Sequence, residues 1–427
     1  MTNGVNTREL ALEMLMEINE KGQYSHLVLN DVLEKYQYLT KQERAFLTRL
    51  TEGTIERQIS IDYVIDLFSK TKVNKMKPLI RNLLRMSVYQ LLFMDAIPDS
   101  AVCNEAVKLA KRRGFSALSG FVNGVLRTVA RNREEITYPT LSLQYAIPEW
   151  MITLWEEAYG EEKTLEILSG FSGNSAMSIR VNPNHITPEK LKESLEAEGV
   201  TVEPVVGMDN AFYISKMDSI RGLTSFQNGD FYVQDVSSMK VALLSGVKKG
   251  DYVIDVCAAP GGKSIHLAEL LENTGMVEAR DLTEYKVGLM EENRIRQGLS
   301  NMKTVVMDAT VFDEDSVHRA DVLICDLPCS GLGVLSKKTD IRHKMTLEKT
   351  RELVQLQREI LDTVYDYVKP GGTLVYSTCT IHWAENEGNV AWFLEKYPFF
   401  TLEYEEQLFP GKENRDGFFI AKLKRNL

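Results

Sequence analysis

At 427 residues the chain is too long for one ordinary core and points to two or three domains. Its 44% hydrophobic and 26% charged content excludes a largely disordered polymer. No apolar run reaches the roughly 20 residues of a membrane helix, so a cytoplasmic protein with no membrane partner is expected. The net charge of −10 hides an asymmetry, because residues 1–140 carry 20 Lys and Arg against 16 Asp and Glu and the remainder carries 30 against 44.

Residues 1 to about 136 read as an all-helical bundle. Leu10, Met14, Leu15 and Ile18 form a stripe at helical spacing, and Phe46, Leu47, Leu50 and Ile55 repeat it. Ile80, Leu83, Leu84, Val88, Leu91 and Leu92 do so again after Pro78, a residue suited to a helix start. Pro98, Asp99 and Ser100 then offer a turn before another helix. Lys108, Lys111, Arg112, Arg113, Arg127, Arg131 and Arg133 fall within 26 residues. Such a run is either a solvated helix face or a footprint for RNA phosphates.

From 137 to 235 five prolines, at 139, 148, 183, 188 and 204, cut the chain into short pieces. A helical stretch at 189–198 alternates with β-like runs at 177–181 and 211–214, which predicts a small α+β domain. From 236 to 427 the rhythm is strand and helix in turn. Strands are predicted at 252–256, 276–280, 303–307, 321–325 and 373–377, with helices at 263–271, 284–297 and 347–368 between them. That alternation implies a parallel doubly wound sheet with its ligand crevice at the carboxyl ends of the strands. Runs at 401–404 and 418–423 would add an antiparallel pair at one edge.

The five cysteines, at 103, 257, 325, 329 and 379, are odd in number and lack zinc-pair spacing, so no metal site is expected. A cytosolic cysteine is ordinarily a small buried apolar residue. Cys329 and Cys379, however, follow the fourth and fifth predicted strands, where such a sheet places its chemistry. The first strand runs into Cys257, Ala258, Ala259, Pro260, Gly261, Gly262 and Lys263. These small residues let a ligand approach backbone at a helix start, yet neither phosphate-loop pattern is present. Asp281, Asp308 and Asp326 end the next three strands. Each alone could be a helix cap, but as a series they suit a nucleoside ligand, with Asp281 on a ribose diol and Asp308 on an adenine amino group.

The stretches Asp255 to Lys263, Asp326 to Gly333, Ser377 to Thr380 and Asp416 to Ala421 resemble, in order and spacing, the motifs of the RNA 5-methylcytosine methyltransferases, the NOL/NOP/Sun family. Arg180-Val181-Asn182 and Gln234-Asp235-Val236-Ser237-Ser238 are similar to its upstream elements. Within the family the chain most resembles the bacterial 16S ribosomal RNA group called RsmB, Fmu or Sun. The start Arg8 to Ala11 and the stretches Glu52 to Arg57, Leu84 to Leu91 and Asn104 to Val107 resemble a NusB-like RNA-binding module. At Lys337 to Lys344 the chain departs from the family's Arg-Arg-His-Pro-Asp-Ile-Lys-Trp and reads Lys-Lys-Thr-Asp-Ile-Arg-His-Lys.

The resemblance implies a multidomain protein: a NusB-like helical bundle over 1–136, a small α+β domain over 137–235 and a Rossmann-like methyltransferase domain over 236–427. It implies S-adenosylmethionine as cofactor, held by residues 257–263 with Asp281, Asp308 and Asp326. It implies methyl transfer to carbon 5 of a cytosine in 16S ribosomal RNA free of ribosomal proteins, usually cytosine 967, by a monomer. Cys379 would be the nucleophile at carbon 6, Cys329 would assist proton removal and release, and Asp326 and Lys263 would hold the base. Transfer RNA methylation by the same chemistry and a non-catalytic RNA-binding assembly factor are the alternatives.

Overall fold

The computed structural model describes residues 6–172, 176–217, 219–411 and 415–427. The first five residues of the helical stretch read from the sequence lie outside them. The chain divides into two compact units, Met1–Tyr159 with Lys337–Lys344, and Gly160–Ser336 with Met345–Leu427.

The first unit is helical throughout. Its helices are α1 (Thr7–Lys21), α2 (Ser25–Lys35), α3 (Lys41–Glu56), α4 (Gln58–Phe68), α5 (Pro78–Phe93), α6 (Asp99–Arg112), α7 (Ser119–Arg131), α8 (Leu141–Tyr145) and α9 (Glu149–Tyr159). Local chemistry fixes the starts. The Asn6 side chain accepts from the Arg8 and Glu9 amides to cap α1, Thr40 and Glu43 form a reciprocal capping box on α3, and Pro78 occupies the first turn of α5. The stripes read from the sequence close into one core, with Leu12, Leu15, Leu47, Leu50, Leu83 and Leu84 fully buried.

Lys337–Lys344 belongs to this unit although its sequence neighbours belong to the other. Asp340 accepts the Ser25 amide at 3.1 Å and the Lys344 ammonium at 2.9 Å. Arg342, 2% exposed, donates to the carbonyls of Glu56 and Tyr145 at 3.2 and 3.3 Å. His343 Nε2 lies 2.7 Å from the Ile55 carbonyl.

The second unit starts with α10 (Glu161–Gly170) and carries two sheets. The small one holds β1 (Met177–Val181), β2 (Thr201–Val205), β3 (Met208–Ser215) and β4 (Phe231–Val233) in the order β2-β3-β1-β4, all antiparallel, with α11 (Pro188–Ala197) packed on it. The large one holds β5 (Tyr252–Asp255), β6 (Met276–Asp281), β7 (Met302–Val306), β8 (Ala320–Asp326), β9 (Val368–Thr378), β10 (Phe400–Leu408) and β11 (Phe418–Arg425). Its order is β10-β11-β9-β8-β5-β6-β7, parallel from β9 through β7 and antiparallel at the β10–β11 edge.

Interior strands buried on both faces need continuous apolar runs, and Val253, Ile254, Val322, Leu323, Ile324, Leu374 and Val375 supply them. The helices of this unit that bear on the site are α12 (Thr224–Gln227), α13 (Val236–Ser245), α14 (Gly262–Leu270), α15 (Glu284–Arg296), α17 (Leu347–Val364) and α18 (Glu387–Lys396); α16 (Ile341–Lys344) lies in the first unit. Among the described residues no helix is long and apolar enough to cross a membrane.

Candidate active site

The carboxyl ends of β5, β6, β8 and β9 bring the motif residues together. Residues 256–261 turn from β5 into α14, whose cap Gly261 has φ +104°, a backbone conformation that favours glycine. No side chain caps that helix start, which leaves its first N–H groups without a side-chain acceptor. The turn is pinned from beside it: the Ala258 amide donates to the Arg280 carbonyl at 2.8 Å and the Ala259 amide to Asp281 Oδ2 at 3.0 Å. Asp281 is buried at the end of β6 and also accepts the Lys286 ammonium at 2.9 Å. Asp308 stands apart from this group; its Oδ1 accepts from the Thr310 amide and hydroxyl at 2.9 and 2.7 Å, which holds its carboxyl below the usual range. It lies beside Val256, Arg280, Met307, Ala309 and Tyr367, which close over a narrow cleft.

The two thiols meet. Cys329 Sγ lies 3.4 Å from Cys379 Sγ, both half-buried, because β8 and β9 are adjacent parallel strands and each cysteine follows its strand end. Beside them Lys263 Nζ lies 2.6 Å from Asp326 Oδ2, while Ser377 Oγ donates to Asp326 Oδ1 at 2.8 Å. Burial acts to lower the lysine's pKa, but the Asp326 charge and hydrogen bond outweigh it and the ammonium stands above its ordinary value. The hydrogen bond to Cys379 and then burial push the Cys329 thiol well up. Burial likewise raises Cys257 and Cys325, the latter a core residue as the ordinary reading of cysteine expects.

Close backbone approach explains two glycines. The Gly333 amide donates to the Cys379 carbonyl at 3.1 Å and the Gly417 amide to the Gly333 carbonyl at 2.9 Å. A Cβ on Gly333 would collide with the Gly417 carbonyl. The segments after β8 and β9 and before β11 are thereby laced into one floor, and Phe418 places its ring 5.3 Å from the Lys263 ammonium.

Several residues that the sequence left silent support this floor. Asp255 is fully buried, accepts Ser264 Oγ at 2.6 Å, and burial pushes its carboxyl up to about 7. Glu385, Gln357, His382 and Asn389 form a buried polar network under the cysteines. Buried polar residues carry no periodicity of their own, so only the fold reveals them. The upstream motifs also find a reason. Arg180 pairs with Glu269 of α14 inside the protein and donates to Gln234 at 2.9 Å, while Ser237 Oγ donates to the Asp416 carbonyl at 3.1 Å.

In the helical unit the basic run is partly neutralised. Arg112 is 2.7 Å from Glu9, Arg113 is 2.7 Å from Glu13, and Arg133 pairs with Asp99. Lys108 pairs with Glu105 at 2.8 Å, and Lys111, Arg127 and Arg131 are exposed with no acidic partner among the described residues.

Three family models match the chain: 16S rRNA methyltransferase RsmB/F over residues 242–424, the NusB family over 5–131, and an RsmF/B-like ferredoxin-like domain over 147–221. The Probable ribosomal RNA small subunit methyltransferase B of Bacillus subtilis (strain 168) is 36% identical, with 98% of this chain and 99% of that protein covered. The ribosomal RNA small subunit methyltransferase B of Salmonella paratyphi A is 30% identical with 98% of each covered. Among solved structures, PH0851 superimposes with a TM-score of 0.84 at 26% identity, covering 98% of this chain and 99% of that one. NSun6 from Pyrococcus horikoshii with SFG, an S-adenosylmethionine analogue, does so with a TM-score of 0.61 at 26% identity, covering 66% and 99%.

Proposed function

The chain belongs to the RsmB/F family of methyltransferases, whose cofactor is S-adenosylmethionine, and from that membership we propose that the protein methylates carbon 5 of a cytosine in 16S ribosomal RNA through a covalent adduct of Cys379 at carbon 6. The carrying observation is the thiol pair at 3.4 Å beside the 2.6 Å Lys263–Asp326 pair, both at the carboxyl ends of adjacent strands. The cofactor residues suit a nucleoside: a helix start with no side-chain cap after Gly261, the buried Asp281 carboxylate at the end of β6, and Asp308 beyond the end of β7. Cys257 to Lys263 with Asp281, Asp308 and Asp326 would hold it, and when bound it supplies an electrophilic methyl group.

The protein's own residues do the rest. Cys379 Sγ gives an electron pair to carbon 6 of the base, and the displaced ring electrons make carbon 5 nucleophilic. Asp326, held by Lys263 and Ser377, accepts from the amino edge and steadies the ring as its charge shifts. After carbon 5 has taken the methyl group its proton passes to the thiolate form of Cys329, which becomes the thiol, the carbon–hydrogen pair restores the ring double bond, and the carbon–sulfur pair returns to Cys379 as its thiolate. The base must leave any stack to reach this floor, which favours loops over duplex.

The helical module, with boundaries near residues 136 and 235 separating the three parts, would bind the RNA backbone through Lys111, Arg127 and Arg131. The curated relatives named for the small ribosomal subunit support 16S ribosomal RNA over transfer RNA.

The test is a pair of variants with protein-free 16S ribosomal RNA and S-adenosylmethionine. Cys329→Ala is expected to trap a protein–RNA adduct that survives denaturing electrophoresis, and Cys379→Ala to form none. Intact RNA binding with no adduct from Cys329→Ala would favour an assembly factor, and adduct with transfer RNA alone would move the substrate.

A further inference from the structure

Glu385 is fully buried and lies six residues beyond Cys379, just ahead of α18. Its Oε2 accepts the Ser330 amide at 2.9 Å and Gln357 Nε2 at 3.0 Å. Its Oε1 accepts the Ser330 hydroxyl and faces His382 Nδ1 at 2.8 Å. Four partners fill the acceptor sites of an ionised carboxylate, which is how a buried carboxylate becomes tolerable.

The partners are not scattered. Ser330 directly follows Cys329 in the chain, and the same Gln357 amide also donates to the carbonyl of Pro328, which directly precedes it, at 2.8 Å. The Ser330 hydroxyl in turn lies 2.7 Å from Thr380 Oγ1, on the residue after Cys379. One carboxylate therefore grips the peptides on both sides of Cys329 and, through one hydroxyl, the residue beside Cys379. The loop that carries Glu385 is itself tied down. Its carbonyl accepts from Tyr376 OH of β9 and, at 3.3 Å, from Asn389 of α18. Asn386 beside it accepts Thr378 Oγ1 at 2.6 Å and donates to the Thr380 carbonyl at 3.1 Å.

We infer that Glu385 is the positioning residue of the release step, holding the Cys329 thiol against Cys379 by fixing the backbone on either side of it. This rests on the reading of Cys379 as nucleophile and Cys329 as the release group. The Glu385 charge adds a second effect, separable from positioning by its pH dependence. The titratable groups around Cys329 are Cys379, Glu385 and Tyr376, with His382 against Glu385 and Lys263 on the Cys379 side. After the Cys379 hydrogen bond and burial, the Glu385 charge is a further push that favours the neutral Cys329 thiol.

The test uses the full chain with Glu385→Gln, a change that keeps size but turns one acceptor into a donor facing Ser330 or Gln357 and removes the charge. Three readings are taken on protein-free 16S ribosomal RNA: methyl transfer in the first turnover, release of the adduct, and the pH profile of release. Release is expected to slow by about 10- to 100-fold, as for misplaced general acid–base groups, with first-turnover transfer within about threefold of wild type. The release profile is expected to move to lower pH, because the charge that favours the neutral thiol is gone. Wild-type release and profile in Glu385→Gln, while Cys329→Ala traps adduct, would overturn the inference. Transfer and release falling together would overturn it too, in favour of a purely structural role. Should Glu385→Gln not fold, Ser330→Ala decides, with release slowed several-fold and transfer preserved. Absence of adduct from Cys329→Ala would instead remove the underlying reading of the thiols.

Discussion

Lys263 is charged in a place where charge is costly. Its side chain is 14% exposed, and an ammonium with so little water needs a counter-ion, which Asp326 provides at 2.6 Å. The pair shares its surroundings with the Cys379 thiol and the Phe418 ring, so in the proposed reaction the lysine would have three tasks: to neutralise Asp326, to favour negative charge on Cys379, and to orient the carboxylate toward a base. Lys263→Met would leave Asp326 half-buried without its partner, and first-turnover methyl transfer is expected to fall about 100-fold. A rate within about threefold of wild type would remove Lys263 from the reaction. These residues were legible because each falls in a motif at or shortly beyond a strand end, Lys263 in the first turn of α14 after β5. Glu385 was not, since an acid ahead of a helix reads as ordinary dipole matching until Ser330 and Gln357 arrive from distant parts of the chain.

At the scale of elements, apolar runs predicted the strands of the large sheet to within a few residues, because buried parallel strands admit little else. The run at 252–256 became Tyr252–Asp255, and that at 321–325 became Ala320–Asp326. The β9 strand extends further back than its predicted start at 373, to Val368. Lys337–Lys344 was not legible at all. In the sequence these eight residues showed only a departure from the family's motif, but their partners are backbone groups of α2, α3 and α8 or their ends, about 200 to 315 residues away. His343 gives this segment a pH dependence. Burial depresses its pKa from 6.5 to about 4. Between those values the unfolded chain binds the proton and the folded chain does not, so stability rises with pH through the window and is lost on acidification. The full effect is roughly 3 kcal/mol. His343→Gln keeps a donor for the Ile55 carbonyl and removes the titration. Its melting temperature is therefore expected to fall less than that of wild type between pH 7 and pH 5. Equal falls would assign the acid sensitivity elsewhere.

For the whole molecule, the order of modules and the class of fold followed from the change of rhythm along the chain. The functional reading needed more than rhythm: an anonymous sheet with two cysteines at strand ends becomes a methyltransferase through its motifs and relatives. The overall acidity conceals a helical unit with local cations, and the structure narrows these to Lys111, Arg127 and Arg131 by giving Lys108, Arg112, Arg113 and Arg133 acidic partners. Sequence alone could not separate these groups, because Glu9 and Glu13 reach them from about 100 residues upstream.

Methylation at carbon 5 makes one demand that methylation at no other position of the base shares: the hydrogen at carbon 5 must leave once per methyl group added, and the proposed adduct makes that loss depend on Cys379. Protein-free 16S ribosomal RNA carrying tritium at carbon 5 of its cytosines measures it directly. The expected result is tritium release equal to methyl incorporation, dependent on S-adenosylmethionine and abolished by Cys379→Ala. Methyl incorporation with the tritium retained would contradict the account.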